Sequence, residues 1–335
     1  MPLARQIAQS LEEGRDGPLS SVIAAGWGRL AARRLVKDLS FPPRARVLAI
    51  GGSTLGGSGK TPLALASTEY LAQLGARVAF VGHAYRARPN AARIVRVDDD
   101  LGVVGDEALL AARTLAPLGI PVVVAPNRQA ALDLALTHAD VVVLDGVAQI
   151  GPVAAHLALL AVDGARPWGA GRCPPCGDLR APERALLAVC DRVVAFGATV
   201  PLEGRPVDVV ETRSAGAWAG DVLLDWDALR ERRVGLWASL GRPERVVETL
   251  RSHGIRPVVT IGQGDHTVAT ASMCRQLVEQ GLAVGVDVWV STPKCALSLP
   301  PTLADVPMAV LARELTLPTR LKETLSRLLA AKPAR

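Results

Sequence analysis

A glycine-rich segment near the end of the first apolar run carries the residue types that hold a phosphate group. The segment reads Gly56-Gly57-Ser58-Gly59-Lys60-Thr61, preceded by Thr54 and Leu55 and followed by a helical pattern. Glycines let backbone N–H groups turn towards phosphate oxygens at the positive end of the following helix. Lys60 then reaches the β- and γ-phosphates, and the Thr61 hydroxyl binds Mg²⁺. We therefore predict that residues 54–61 bind the phosphates of a nucleotide; the alternative is a structural glycine-rich turn.

The loop departs from the strict P-loop pattern at one position and disfavours two classes of P-loop protein. The strict pattern has a glycine six residues before the lysine, where this chain has Thr54. ATPases with a second signature lysine place it just before the glycine pair, where Leu55 stands. Guanine-specific proteins carry Asn-Lys-x-Asp for the base, a stretch that this sequence lacks. These absences favour an ATP-binding protein of a less common class.

Two carboxylates are candidates for the remaining protein ligands of a magnesium ion. Asp145 ends the apolar run Val141–Leu144, which is the position of the second acidic motif of P-loop proteins. Mg²⁺ prefers hard oxygen ligands, so Asp145 is the best partner for Thr61 in binding the ion. Glu107 is a third candidate ligand. The cofactors expected from the sequence are ATP and Mg²⁺.

The balance of residue types is that of a globular protein with a basic surface. Of 335 residues, 49% are hydrophobic and 21% are charged, enough for two domains with buried cores. The net charge of +6 favours anionic lipids or phosphorylated substrates. Aromatic residues make up only 3%, and base stacking needs aromatic side chains, so we expect no nucleic-acid partner. The sequence indicates no obligate protein partner.

Cysteine usage and apolar runs indicate the compartment. The 5 cysteines form no paired framework, and a reducing cytoplasm fits best. No apolar run reaches the ~18 residues of a spanning helix, and the N-terminal residues lack the features of a secretory signal. We therefore expect a soluble or peripherally attached protein. Cys173-Pro174-Pro175-Cys176 has zinc-site spacing, but no second pair completes four ligands, and we interpret it as a rigid loop.

Apolar runs alternate with helical patterns along most of the chain. This alternation is typical of α/β proteins whose parallel sheets carry helices on both faces, and we predict two α/β/α sandwich domains joined by a short two-stranded linker. The first domain has a mostly parallel sheet and carries the phosphate loop. The expected boundaries are an N-terminal helix in 1–40, the nucleotide-binding domain in 41–205, the linker in 206–225, and a second α/β domain completing the active-site cleft in 226–335.

Residues 20–39 predict a helix with an apolar face and a basic face. The two faces consist, respectively, of Ile23, Trp27, Leu30, Ala31 and Leu35, and of Arg29, Arg33 and Lys37. A basic amphipathic helix of this kind can lie on an anionic membrane surface. It can equally pack on its own domain, and the sequence leaves both interpretations open.

Seven short motifs occur in the order in which the tetraacyldisaccharide 4′-kinase family has them, and the chain resembles that family over most of its length. The family's phosphate loop also lacks the first glycine of the strict pattern. The matching motifs are Gly17-Pro18-Leu19-Ser20; Gly56–Thr61 with Pro62; Gly105-Asp106-Glu107; Ala125-Pro126-Asn127-Arg128; Val162-Asp163-Gly164-Ala165 with Leu179, Arg180 and Pro182 of a Pro-Leu-Arg-Glu-Pro motif; Gly241-Arg242-Pro243-Glu244-Arg245; and Asp265-His266.

The resemblance implies an enzyme of lipid A synthesis that transfers the γ-phosphate of ATP to the 4′-hydroxyl of a tetraacyldisaccharide 1-phosphate. It also implies a lipid-linked disaccharide substrate and peripheral attachment to an anionic membrane surface, the cytoplasmic face of the bacterial inner membrane. Asp106 matches the family's catalytic aspartate, which accepts the hydroxyl proton, and His266 with Asp265 would tune its basicity across the cleft. Further candidates for phosphate or sugar contacts are Arg128, Arg180 and Tyr85.

Three departures from the family pattern keep other hypotheses open. The run from Leu144 to Gln149 stands for Asp-Asp-Gly-x-Gln-His and lacks one aspartate and the histidine. Gly82-His83-Ala84-Tyr85 replaces Ser-Arg-Gly-Tyr, and Thr292-Pro293-Lys294-Cys295 replaces Thr-Glu-Lys-Asp. An active kinase is the favoured interpretation because the residues proposed for catalysis are all retained. The alternatives are a P-loop enzyme with another acceptor and a non-catalytic relative that binds ATP.

Overall fold

The computed structural model describes residues 11, 13–14, 17–84, 87–202, 204–239, 243–262 and 268–330. These residues divide into two compact units. The P-loop unit consists of 11–212 together with 315–330, and the second unit consists of 213–314. The second unit therefore lies, along the chain, between two parts of the first.

The helices begin and end where caps and glycines allow. Asn127, for example, starts a helix by accepting the Ala130 N–H through its side chain at 2.9 Å. In chain order the helices are α1 (Pro18–Arg33), α2 (Lys60–Gln73), α3 (Leu101–Val104), α4 (Asp106–Leu115), α5 (Arg128–His138), α6 (Glu183–Val189), α7 (Trp226–Arg230), α8 (Glu244–Ser252), α9 (Ala271–Val284), α10 (Pro293–Ala296) and α11 (Thr319–Ala330).

In chain order the strands are β1 (Val36–Asp38), β2 (Arg46–Gly52), β3 (Val78–Val81), β4 (Arg93–Ile94), β5 (Val122–Val124), β6 (Val141–Asp145), β7 (Gln149–Gly151), β8 (Leu157–Asp163), β9 (Arg192–Phe196), β10 (Val207–Ala219), β11 (Val222–Asp225), β12 (Val234–Trp237), β13 (Val259–Ile261), β14 (Val288–Ser291), β15 (Thr302–Leu303) and β16 (Val306–Thr316). The buried central strands β2, β3, β5, β6 and β8 coincide with short apolar runs of the sequence.

The sheet of the P-loop unit is parallel except at one edge. Its order is β10-β9-β8-β2-β6-β3-β5-β4, and only β4 runs antiparallel to its neighbour β5. All seven residues of β2 are buried between β6 and β8. The chain leaves β2 towards β3 on one side, whereas β8 lies on the other side. The carboxyl end of β2 is therefore a topological switch point, where open α/β sheets bind ligands.

Apolar side chains cover both faces of this sheet, as a doubly covered parallel sheet requires. On one face, Val142 and Leu144 of β6 pack with Leu132 of α5. Elsewhere in the sheet, Val193 of β9 packs with Leu186 of α6. Helix α2 packs on β3 and β6. The predicted α/β fold with a mostly parallel sheet is confirmed.

Helix α11 belongs to the P-loop unit and packs against α2. The Tyr70 hydroxyl lies 3.2 Å from Ser326 Oγ, and the Lys322 ammonium lies 5.7 Å from the centre of the Tyr70 ring. The sequence-based boundary assigned these C-terminal residues to the second domain, 226–335. The structure differs because the apolar stripe of α11, Leu321, Leu325 and Leu328, is buried in the first unit.

The second unit has its own parallel sheet, ordered β13-β12-β14-β16. An antiparallel hairpin pairs residues 216–219 of β10 with β11. Leu236, Val288 and Val290 form the centre of one side of the core, and Trp237 and Trp289 fill the other.

Helix α1 contacts the P-loop unit through a narrow stripe of small side chains. Ala24 and Gly28 are buried, and a Cβ on Gly28 would lie 3.2 Å from Pro182 Cγ. Ile23, Trp27 and other apolar residues of the helix remain exposed to solvent. The predicted helix of residues 20–39 ends at Arg33 and is followed by strand β1, so Leu35 and Lys37 lie outside it. The buried stripe differs from the predicted one, because small side chains allow the closest approach. No helix among the described residues is long and apolar enough to cross a membrane.

Candidate active site

The phosphate loop joins the carboxyl end of β2 to the start of α2, the switch point of the sheet. Gly57 and Gly59 have φ values of +74° and +84°, which favour glycine. A Cβ on Gly59 would also collide with the ring of Phe196. The Thr54 hydroxyl donates to the Gly56 carbonyl at 2.6 Å. Thr54 therefore fixes the turn of the loop at the position where the strict pattern has a glycine.

The Ser58 side chain lies against the end of β2. Its hydroxyl lies so close to β2 that a Cβ on Gly52 would overlap it. Within the described part of the chain the buried Ser58 Oγ has no hydrogen-bond partner. A buried hydroxyl without a partner costs free energy, and a phosphate oxygen in the loop provides an acceptor. The loop is built for an anion.

Thr61 and Asp145 meet at the base of the loop, as the sequence predicts for a magnesium site. The Thr61 hydroxyl donates to Asp145 Oδ2 at 2.7 Å, and the Asp145 side chain is fully buried. Burial raises the pKa of Asp145, while the positive charge of Lys60 acts in the opposite direction. Asp145 Oδ1 has no partner among the described residues. A hard-oxygen pair with one unused carboxylate oxygen fits a divalent cation.

Lys60 and Glu107 form an ion pair at the same place. Lys60 Nζ lies 3.8 Å from Glu107 Oε1, and both side chains are largely buried, with 15% and 17% of their surface exposed. Glu107 therefore offsets the positive charge of the loop lysine. No group of three His, Cys, Asp or Glu side chains positioned to hold a metal occurs in the described ranges.

Asp106 stands at the first position of α4, beside Glu107. Gly105, at φ +86°, turns the chain between α3 and α4, so that both acidic residues stand in the first turn of α4. Asp106 Oδ1 accepts the Glu107 N–H at 2.8 Å, and the side chain is half-buried. Asp265, His266 and Tyr85, also predicted for the site, lie outside the described residues.

Two arginines, Arg128 and Arg180, lie in the field of the carboxylates Asp145 and Glu107. Arg128 Nη1 donates to the Gly82 carbonyl at 2.8 Å. Burial lowers the pKa of both Arg128 and Arg180, whereas the charges of Asp145 and Glu107 act to raise the pKa of each. The structure therefore brings together the loop, its lysine, both candidate metal carboxylates and both arginines predicted from the sequence.

The family model of LpxK, Tetraacyldisaccharide-1-P 4′-kinase, matches residues 18–330. The chain belongs to this family. A curated tetraacyldisaccharide 4′-kinase of Methylobacterium radiotolerans is 36% identical over 300 residues, covering 86% of this chain and 85% of the relative. The enzyme of the same name from Chromobacterium violaceum is 36% identical over 260 residues, covering 74% of this chain and 75% of the relative.

A solved LpxK structure has the same fold. The crystal structure of LpxK from Aquifex aeolicus, described as an "apo" form in complex with ATP, superimposes with a TM-score of 0.69. It is 20% identical in sequence and covers 92% of this chain and 96% of its own. This likeness is one of fold, over both units of the chain.

Two departures from the LpxK family pattern lie within the site. Leu144 takes the place of the first aspartate of the Asp-Asp motif, and its side chain is buried in the apolar core beside α5. Asp145 is therefore the one carboxylate that this motif offers. His83 takes the place of the arginine in the family's Ser-Arg-Gly-Tyr motif, at the carboxyl end of β3.

Sequence reasoning noted His83 only as a departure and did not assign it to the site. Its side chain is exposed at the surface, yet its pKa is lowered to about 4, first by desolvation from surrounding protein atoms and then by the charge of Arg128. His83 is therefore neutral near pH 7, where the family has a permanent cation. Its position directly after a strand at the edge that binds ligands was the signal that could have identified it.

A cleft of about 190 Å³ adjoins the phosphate loop on the side of α1. Trp27 and Leu30 provide apolar walls, and Arg34, Lys37 and Arg180 provide positive charge. The pKa of Lys37 is lowered by partial burial and by the neighbouring arginines. Such a surface can contact an apolar chain through its apolar walls and an anionic head group through its positive charges.

Proposed function

We propose that this chain transfers the γ-phosphate of ATP to the 4′-hydroxyl of a tetraacyldisaccharide 1-phosphate. The observation that carries the proposal is the Thr61–Asp145 pair beside Lys60, at the base of a complete phosphate loop. Family membership gives the acceptor, because the curated relatives bear the name of this reaction.

The loop residues bind and orient the triphosphate. Backbone N–H groups of residues 56–61 hold the phosphate oxygens, and Lys60 exchanges its contact with Glu107 for the β- and γ-phosphates. The Ser58 hydroxyl gains an acceptor on binding. These contacts fix the γ-phosphorus for in-line attack, which is most of what a phosphoryl-transfer enzyme must provide.

Thr61 and Asp145 would hold Mg²⁺, with Glu107 as a further carboxylate within the same charge cluster. The bound ion supplies positive charge that neutralises the phosphate oxygens during transfer. The unused Asp145 Oδ1 is the atom of this chain that supports the assignment.

Asp106 would accept the proton of the sugar hydroxyl. Its carboxylate is held by the Glu107 N–H at the start of α4 and so keeps one orientation. His266 and Asp265 are proposed to tune its basicity, on the strength of the family motif that they match.

The cleft beside α1 would receive the lipid acceptor. Arg34 and Lys37 offer charge for its anionic group, and Trp27 and Leu30 offer apolar surface for acyl chains. The exposed apolar residues of α1, together with its arginines, would hold the protein on the cytoplasmic face of the bacterial inner membrane.

The acceptor is tested by phosphate transfer from labelled ATP in detergent micelles. We expect the wild type to label the tetraacyldisaccharide 1-phosphate and the Lys60→Ala variant to be about 10²-fold slower, because a charge aimed at the phosphoryl group is lost. A wild type that binds ATP but labels no such acceptor contradicts the proposal. That result would favour one of the two alternatives, a non-catalytic relative or an enzyme with another acceptor. The departures from the family pattern at Leu144 and His83 would then be its structural explanation.

Membrane contact is tested by co-sedimentation with phosphatidylglycerol vesicles. We expect Ile23→Asp to weaken vesicle binding by about tenfold or more, because a side chain that is 52% exposed can no longer enter the interface. Leu282→Asp is the matched control, since Leu282 is an apolar residue 68% exposed on α9 of the second unit. Equal binding of the two variants would exclude α1 as the contact.

A further inference from the structure

The loop of residues 169–180, here called the Arg180 loop, is tied to the phosphate loop through its backbone. The Leu55 N–H donates to the Asp178 carbonyl at 2.9 Å, and the Arg180 N–H donates to the Ser53 carbonyl at 2.8 Å. Between these bonds the two segments lie opposite each other in an antiparallel bridge. The main chain that carries Arg180 is therefore paired with the main chain that begins the phosphate loop.

The side chain of Asp178 holds the other end of the Arg180 loop. It is 5% exposed, and its Oδ1 accepts the Ala170 N–H at 2.8 Å. Gly169, at φ +57°, lies so close that a Cβ there would overlap the Asp178 carboxylate. Asp178 therefore accepts two hydrogen bonds. Its main-chain carbonyl accepts from the phosphate loop, and its carboxylate accepts from the start of the Arg180 loop.

The position of Arg180 depends on this backbone. Its guanidinium lies in the field of Asp145 and Glu107, yet its Nε is buried without a hydrogen-bond partner among the described residues. A donor in that state costs free energy and does not anchor the side chain. The main-chain bond from the Arg180 N–H to the Ser53 carbonyl therefore helps to fix where this side chain begins.

We propose that Asp178 is a positioning residue, whose carboxylate holds the Arg180 loop so that Arg180 keeps the geometry that binds the triphosphate. The inference rests on the proposed function, in which the phosphate loop binds ATP. It predicts that Asp178 acts on nucleotide affinity through Arg180, although it touches no nucleotide.

The test is the Kd of ATP with Mg²⁺, measured by calorimetry on the full chain without acceptor. We expect Asp178→Ala to raise Kd about tenfold, as loss of a hydrogen bond to a charged acceptor allows. Asp178→Asn keeps an oxygen acceptor for Ala170 and should bind within about threefold of the wild type. The double variant Asp178→Ala/Arg180→Ala should bind no more weakly than Arg180→Ala alone, because coupled residues are not additive.

Asp191→Ala is the matched control, since Asp191 Oδ2 accepts the Ala158 N–H at 2.7 Å in the same unit; its Kd should equal that of the wild type. Wild-type affinity in Asp178→Ala, or effects that add fully to those of Arg180→Ala, would overturn the inference. If Asp178→Ala does not fold, Gly169→Ala disturbs the same contact and must raise Kd likewise. A wild type that binds no ATP would overturn the proposed function as well.

Discussion

Asparagine in place of Asp145 is expected to lower kcat by about 10³ while raising the melting temperature. The variant keeps an oxygen that accepts from the Thr61 hydroxyl, which in the wild type lies 2.7 Å from the carboxylate. It loses the negative charge that the metal requires, and a metal's charge stabilisation is worth several kcal/mol, or about 10³ in rate.

The gain in stability follows from burial of the charge. The Asp145 side chain is fully buried, and burial raises its pKa. A carboxyl whose pKa is higher in the folded than in the unfolded state lowers the free energy of unfolding when it is ionised. This loss of stability becomes smaller as pH falls through the folded pKa. Asparagine carries no charge and removes this loss of stability. Each 1 kcal/mol gained in the free energy of unfolding raises Tm by about 2–4 °C in a protein of this size. The gain should therefore be largest near neutral pH and should decrease in acid.

Steady-state kinetics and thermal melts at several pH values check this prediction. Asp140→Asn is the matched control, because Asp140 is exposed at the opposite end of β6, where it contacts Arg77 at 3.6 Å. The control should change neither kcat nor the pH dependence of Tm. An Asp145→Asn variant with wild-type kcat would remove this residue from the metal site.

Asp106→Asn is expected to lower kcat by about 10²–10⁴ and to leave the affinity for ATP nearly unchanged. A sugar hydroxyl must lose its proton during attack, and loss of a positioned base costs a factor of this size. Asparagine still accepts the Glu107 N–H, which lies 2.8 Å from the aspartate oxygen, so the start of α4 should be preserved.

The measurement is the pH profile of kcat for wild type and variant, with ATP binding measured separately. The acidic limb that reports the base should disappear in the variant. Asp100→Asn serves as control, because exposed Asp100 accepts the Gly102 N–H at 2.7 Å at the head of the preceding helix. If Asp106→Asn retains both rate and acidic limb, another group is the base.

The centre of the site was predictable because it depends on short stretches of chain. Residues 54–61 and Asp145 each follow an apolar strand, and parallel strands bring such carboxyl ends to one edge. For these residues the position directly after a strand, which the sequence shows, is also what places them in the site. The ion pair between Lys60 and Glu107 also joins two residues that the sequence had placed in the site.

The surroundings of the site depend on contacts that no local pattern encodes. The pairing of Asp178 with Leu55 joins segments far apart in sequence, and neither has strand character alone. The lowered pKa of His83 depends on desolvation and on Arg128, which belongs to a different strand–helix connection. The amphipathic pattern of α11 predicts a helix but cannot say which unit buries its stripe.

The contact of α11 with Tyr70 also determines the order in which the molecule is completed during translation. Among the described residues the second unit is one continuous stretch, 213–314, which leaves the ribosome before residues 315–330. Domains fold as units while synthesis proceeds from the N-terminus. The second unit can therefore finish folding before α11 is synthesised, whereas the core of the P-loop unit is complete only once α11 has packed against α2.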